Sequence, residues 1–296
     1  VMMSLDVVFN FFLIFPTRPV ELFGTQIMMP GMGLGVVGAA IGTVSAELVA
    51  ASITMYILCF RSKELSLRID TGRFLPTWGV VKRALHISLP MGLQQTIMCS
   101  AYVMTTIIIA PLGTFAIAAN SFGIIIESLC YMPGYGIADA ATTLVGQSIG
   151  AGRHELMKRF AWLSVGLGVT VMAVMGVVMY VGAPVAMAMM TPAEEVRRLG
   201  VEVLRIEAFA EPMFAAAIVS YGVFVGAAKT LVPSIMNLIS IWGVRISLAA
   251  LLAPSMGLRG VWIAMCIELC FRGFIFLVKL KFWNIQTSCN HYGKDQ

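Results

Sequence analysis

Residues 135–153 read YGIADAATTLVGQSIGAGR, from Tyr135 to Arg153. A glycine-rich stretch ending in arginine invites a phosphate-binding reading, but the spacing does not support one. A Walker loop needs G-x-x-x-x-G-K-[ST], and here Gly146 to Gly152 is followed by Arg153 and His154. A dinucleotide loop needs a preceding strand in a βαβ unit, and the residues before this stretch form a long apolar segment instead. The alternative is mechanical. Residues without side chains let a helix end sharply and let neighbouring helices approach closely, while Arg153, Lys158 and Arg159 hold the turn at lipid headgroups.

The surroundings favour that alternative. Apolar residues make up 59% of the 296 and charged residues only 12%, against about 25% charged in an ordinary soluble domain. Residues 35–60 hold one charge, Glu47, and residues 160–190 hold none. A spanning helix needs about 20 mostly apolar residues. Eight candidate spans follow: 2–15, 35–60, 84–111, 114–147, 160–190, 199–227, 231–253 and 257–280. All are expected to be helical, because unpaired backbone groups in lipid cost several kcal/mol. The six cysteines show no CxxC pair, and Cys266 and Cys270, one turn apart, have no histidine beside them. Packing is the expected role for them, rather than metal binding.

The connections alternate in charge. Thirteen of the 20 Lys and Arg fall in 61–83, the 148–159 turn, the 228–230 turn and the C-terminal tail. Four fall in the opposite set (16–34, 112–113, 191–198 and 254–256 with Arg259), and Arg205, Arg245 and Arg272 lie within spans. The positive-inside rule then predicts a cytoplasmic first set and a cytoplasmic C-terminus. Residues 61–83 are the longest charged connection and divide the chain into two bundles. GLGVVGAAIG (33–42) and MGLRGVWIA (256–264) form a faint repeat across that boundary, as a duplicated transporter would.

Several motifs together resemble one family. A-x-T-T-L-V-G-Q-x-x-G-A-G resembles the second-helix signature of the C-terminal lobe of multidrug and toxic compound extrusion (MATE) transporters. Residues 204–252 look like that family's L-R-G-A-G-D-T-x-x-P turn followed by its W-x-x-R-I helix, with Pro233, Trp242 and Arg245 kept. Val225, Ala228 and Lys229 stand where the family usually has Arg, Gly and Asp. DVVFNFFLIF (6–15) and the 35–43 segment also match, so the resemblance covers residues 1–283. It implies an all-α polytopic fold of twelve helices in two six-helix lobes. Residues 1–60 would be the last two helices of the N-lobe, 61–83 the inter-lobe linker, 84–282 the six-helix C-lobe and 283–296 a cytoplasmic tail. A chain that opens on Val1, almost inside an apolar segment, is then expected to be a fragment lacking four helices.

Charges within spans are the candidate functional residues, since each costs at least about 2.5–3.5 kcal/mol to insert. Asp6 and Asn10 share a helix face and offer hard oxygen ligands suited to Na⁺ or a proton relay. By resemblance they occupy, in reverse order, positions of the N-lobe cation site of some members, and Thr43 falls where those members have a ligating threonine. The bland reading is that Asp6 is a surface residue at a frayed end. Glu211-Pro212 lies mid-span, so a kink or local break is expected there, with Glu207 one turn earlier and both available to a cation or substrate. The alternative for Glu211 is a helix-packing hydrogen bond. Glu127 and Asp139 flank Pro133-Gly134 and are read as facing the central cleft. Where some members keep an acid on the first C-lobe helix, this chain has Gln94 and Gln95. Glu268 and Arg272, four apart, are read as an internal salt bridge.

The function implied is secondary antiport: export of amphipathic, often cationic, small organic molecules driven by Na⁺ or H⁺ entry, with two lobes rocking between inward- and outward-open states. A lipid-linked oligosaccharide flippase of the same superfamily is the alternative, although its pyrophosphate substrate calls for more cations in the spans than three arginines. An enzyme is not expected, for want of a catalytic constellation. The expected setting is the cell membrane, as a monomer among lipids, with no cofactor beyond the coupling ion and no nucleic-acid partner.

Overall fold

A computed structural model describes residues 2–22, 25–61 and 77–283, without the side chains of 18–22, 25–30, 83 and 87. The chain forms two compact units, 1–76 and 77–296. The charged stretch 62–76 and the tail from 284 lie outside the described residues.

In the first unit α1 (Met2–Ile14) packs against α2 (Gly35–Tyr56), which runs on into a π-helical turn, Ile57–Arg61. The connection between them, read from sequence only as a loop, contains an antiparallel hairpin of β1 (Pro16–Leu22) and β2 (Thr25–Met32). Its prolines hide it from a strand reading. A two-stranded ribbon tolerates them because both strands are edges with free backbone donors.

The second unit holds α3 (Trp78–Ile109), α4 (Thr114–Gly150), α5 (His154–Met190), α6 (Glu194–Glu207), α7 (Glu211–Gly226), α8 (Leu231–Leu238), α9 (Ser247–Met256) and α10 (Leu258–Lys281). A π-helical stretch, Ile239–Ile246, joins α8 to α9. Among the described residues six helices are long and apolar enough to cross a membrane, and seven if the bent pair α6–α7 is one span. α1 has only 13 residues. α3 begins at Trp78, six residues earlier than residue 84, where the sequence reading places the start of the bundle. α4 and α5, at 37 residues each, are about 55 Å long, well beyond a hydrocarbon core of about 30 Å.

α7 is apolar all round and is accordingly enclosed, packed by α4, α5 and α10. Its approach to α4 explains the opening stretch of sequence. Gly222 and Gly226 lie against the α4 backbone, where a Cβ on Gly222 would sit 2.6 Å from the Ala138 carbonyl oxygen. Thr142 then donates its hydroxyl to the Gly222 carbonyl at 2.8 Å. Small residues and a threonine thus fasten one helix to another.

The same stretch ends α4. Gly152 N–H bonds the Ile149 carbonyl and Arg153 N–H bonds the Ser148 carbonyl, both at 2.9 Å, with Gly152 at φ +69°. This is a Schellman turn, which satisfies carbonyls that the helix end leaves unpaired. α7 ends the same way: Ala228 N–H bonds Val225 at 2.8 Å and Lys229 N–H bonds Phe224 at 2.9 Å. Here the left-handed residue is Ala228, at φ +55°, the one non-glycine among the described residues with positive φ.

Candidate functional site

The break between α6 and α7 is the centre of the site. α6 starts with Glu194 and Glu195 against its N-terminal dipole and stops at Glu207. Ala208, Phe209 and Ala210 turn the chain by 59°, and α7 begins at Glu211. Pro212 is therefore in the first turn of a new helix, where its missing N–H is no loss, and the bend falls just before it. Such a break at membrane depth is tolerated only where protein covers it. Glu207, Ala208, Ala210 and Glu211 are all buried, and Gly176 of α5 lets the Ala208 carbonyl come close, 2.7 Å from where a Cβ would be.

Glu207 and Glu211 are each 1% exposed. Neither Glu211 oxygen has a hydrogen-bond partner, nor does Oε2 of Glu207. Glu127, buried on α4, acts electrostatically on both. An ionised carboxyl in such a place costs several kcal/mol unless a proton or a cation neutralises it. Across the core, Glu268 of α10 is fully buried but satisfied. Its Oε1 accepts from Ser240 Oγ at 2.6 Å and lies 3.1 Å from Arg272 Nε, and its Oε2 accepts from Arg272 Nη2 at 3.4 Å. The salt bridge expected from the four-residue spacing is present. Arg272 also lies 5.4 Å over the Phe214 ring. Arg245, on the π-helical stretch, contacts the Met265 sulfur and is within electrostatic range of Glu127 and Glu207. Among the described residues no three His, Cys, Asp or Glu converge as metal ligands.

The other candidates divide. Asp139 is exposed on α4, apart from the buried face that carries Glu127. Gln94 accepts from Ser234 Oγ at 2.7 Å, joining α3 to α8, whereas Gln95 is exposed. In the first unit, Asp6 and Asn10 are half-buried, and one oxygen of each is enclosed without a partner. Asn10 Oδ1 rests on Gly42 of α2, where a Cβ would collide with it. Thr43, the next residue, is exposed.

Two polar links escaped the sequence reading. Ser240 serves Glu268 from 28 residues away, and Trp262 Nε1 donates to Asn120 Oδ1 at 3.1 Å across 142 residues. A serine or an asparagine in an apolar span is the only hint of either, and it names no partner.

A probable multidrug resistance protein NorM from Thermotoga maritima is 28% identical over 250 residues, which is 83% of this chain and 53% of that protein. Its counterpart from Idiomarina loihiensis is 26% identical over 274 residues, 90% of this chain and 58% of that protein. The chain spans about half the length of the curated relatives it matches. Two solved structures share the fold. One is an outward-facing multidrug resistance MATE family transporter of the MOP superfamily, with a TM-score of 0.82, 19% identity, and coverage of 95% of this chain and 60% of that one. The other is a MOP superfamily transporter from Pyrococcus furiosus, with a TM-score of 0.81, 19% identity and the same coverage. The MatE family model matches residues 90–251, more than half of the chain. On that match, with helices apolar and long enough for several membrane passes, this chain belongs to the MatE family.

Proposed function

We propose that the chain serves multidrug efflux: antiport of amphipathic, often cationic, organic molecules against Na⁺ or H⁺ across the cell membrane, by alternating access of two lobes. The observation that carries this is the pair Glu207 and Glu211 at the α6–α7 break, buried and with oxygens left unpartnered. A proton or cation that neutralises them in one state and leaves in another gives the differential binding that shifts a conformational equilibrium. Asp6 and Asn10 supply a second pair of unpartnered oxygens in the first unit. Among the described residues, the buried charges of the second unit are four glutamates (Glu127, Glu207, Glu211 and Glu268) and one arginine, Arg272, with Arg245 half-buried. That acidic excess favours cationic cargo and a coupling cation over a pyrophosphate-linked substrate. The charge distribution of the connections supports a cytoplasmic α4–α5 turn and a cytoplasmic C-terminus.

The test is uptake of a fluorescent organic cation into proteoliposomes under an imposed Na⁺ or H⁺ gradient. Transport driven by one of these gradients and abolished by Glu211→Gln is the expected result. Gradient-driven transport unchanged in Glu211→Gln would remove the α6–α7 break from the coupling machinery. Coupling that is weakened more by Asp6→Asn than by Glu268→Gln would extend the reading to the first unit.

A further inference from the structure

A groove of about 940 Å³ lies between α5, α6 and α10, at the ends of these helices remote from the α4–α5 turn. It is separate from the buried acids, which face inward from the α6–α7 break. Its floor is apolar, built by Val201, Ile206, Phe209, Ile263 and Ile267. Its polar lining is dominated by arginine: Arg197 and Arg198 in the first two turns of α6, and Arg205 two turns on. The two carboxylates in the lining have other engagements. Glu202 is ion-paired to Arg259, and Glu194 stands at the α6 N-terminus, which favours an acid there.

Arg205 is the unusual member. It lies 11 residues into α6, about 16 Å along the axis, and Tyr180, its neighbour, is a similar distance from the end of α5. Arg205 is exposed. Its guanidinium lies 5.2 Å over the Tyr180 ring, and its Nε donates to the Tyr180 carbonyl at 3.5 Å. No carboxylate pairs with it among the described residues. An exposed guanidinium with no carboxylate partner beside an apolar groove suits an anion, and Arg197 and Arg198 line the same groove.

We propose that this groove is a binding site for one anionic phospholipid, with the headgroup phosphate held by Arg197 and Arg198, the ester region beneath Arg205, and an acyl chain along the apolar floor. Charge and shape both select this occupant. Arginine forks match phosphate oxygens. The floor gives a small hydrophilic anion nothing to bury, and an organic cation meets three like charges at the rim.

Native mass spectrometry of the detergent-solubilised protein, titrated with phosphatidylglycerol or phosphatidylcholine, tests this. Retention of one phosphatidylglycerol per chain, in preference to phosphatidylcholine, is expected. The double variant Arg197→Gln/Arg198→Gln should weaken that retention about tenfold, the scale of losing a charge-assisted contact. Arg197→Lys/Arg198→Lys should keep most of it. Ile263→Trp, which fills the floor at unchanged charge, should lower it as well, so the outcome does not hang on one variant folding. Lys158→Gln/Lys281→Gln, at the other end of the bundle, should leave it alone. Equal retention of the two lipids would overturn the proposal. So would phosphatidylglycerol binding that survives loss of both arginines, equal weakening by the lysine pair, or glycerol phosphate binding as well as the lipid.

Discussion

On α10, Glu268 is sealed from solvent with a serine hydroxyl on one oxygen and an arginine reaching both. At the α6–α7 break Glu211 is sealed to nearly the same extent, and neither of its oxygens meets a donor. Equal burial thus yields opposite chemistry. The first carboxylate is a finished internal contact, and displacing Arg272 would strand it. The second has no donor on either oxygen, although it opens α7 at the helix break. Burial alone therefore does not tell a satisfied acid from an unsatisfied one; the donors that packing supplies do.

The largest effect expected from this contrast comes from Arg272→Met. It leaves Glu268 buried and unpaired and should destabilise the bundle by about 3–5 kcal/mol, read as thermal unfolding in a fixed detergent. The added change Glu268→Met should restore much of that loss, because replacing both partners removes the stranded charge. Little effect from Arg272→Met alone would break the comparison. Ser240→Ala takes one donor from the same carboxylate and should cost about 1.5–3 kcal/mol in the same assay, the range for a hydrogen bond to a charged group.

The contrast between a satisfied and a strained position recurs in the two Schellman turns. Gly152→Ala should destabilise the protein by about 1–2 kcal/mol, the cost of a left-handed side chain, and Ala228→Gly should stabilise it by up to a similar amount. Equal, negligible shifts would mean that neither turn stores strain. The smallest stability change is expected for Glu211→Gln, under about 1 kcal/mol, since no hydrogen bond to the carboxyl is lost and the amide keeps its shape. A loss as large as that from Arg272→Met would place Glu211 among the structural acids.

How much of this was legible from sequence varies with the kind of feature. The break was visible in Glu211-Pro212, where the proline opens the second helix. The Glu268–Arg272 pair was visible because four residues bring two side chains onto one helix face. Glu127 and Asp139 were not separable. α4 is apolar on every side, so its sequence carries no stripe to say which face is enclosed, and only packing shows Glu127 buried and Asp139 exposed. The hairpin at 16–32 and the π-helical stretch at 239–246 were likewise unforeseen, for neither has a period that the residues announce.

The sequence by itself determined the spans, the sharp turns between them and the alternation of charge along the connections. These follow from local demands: lipid requires every backbone group to be paired within its own helix, and glycine and arginine mark where the chain leaves the bilayer. Only the tertiary structure decided which polar residues meet. Ser240 with Glu268, Asn120 with Trp262 and Thr142 with the Gly222 carbonyl are all made across helices distant in sequence. Which of two equally buried acids finds a donor is likewise set by how neighbouring helices rotate about their axes, and a helix that is apolar all round leaves that rotation to its partners.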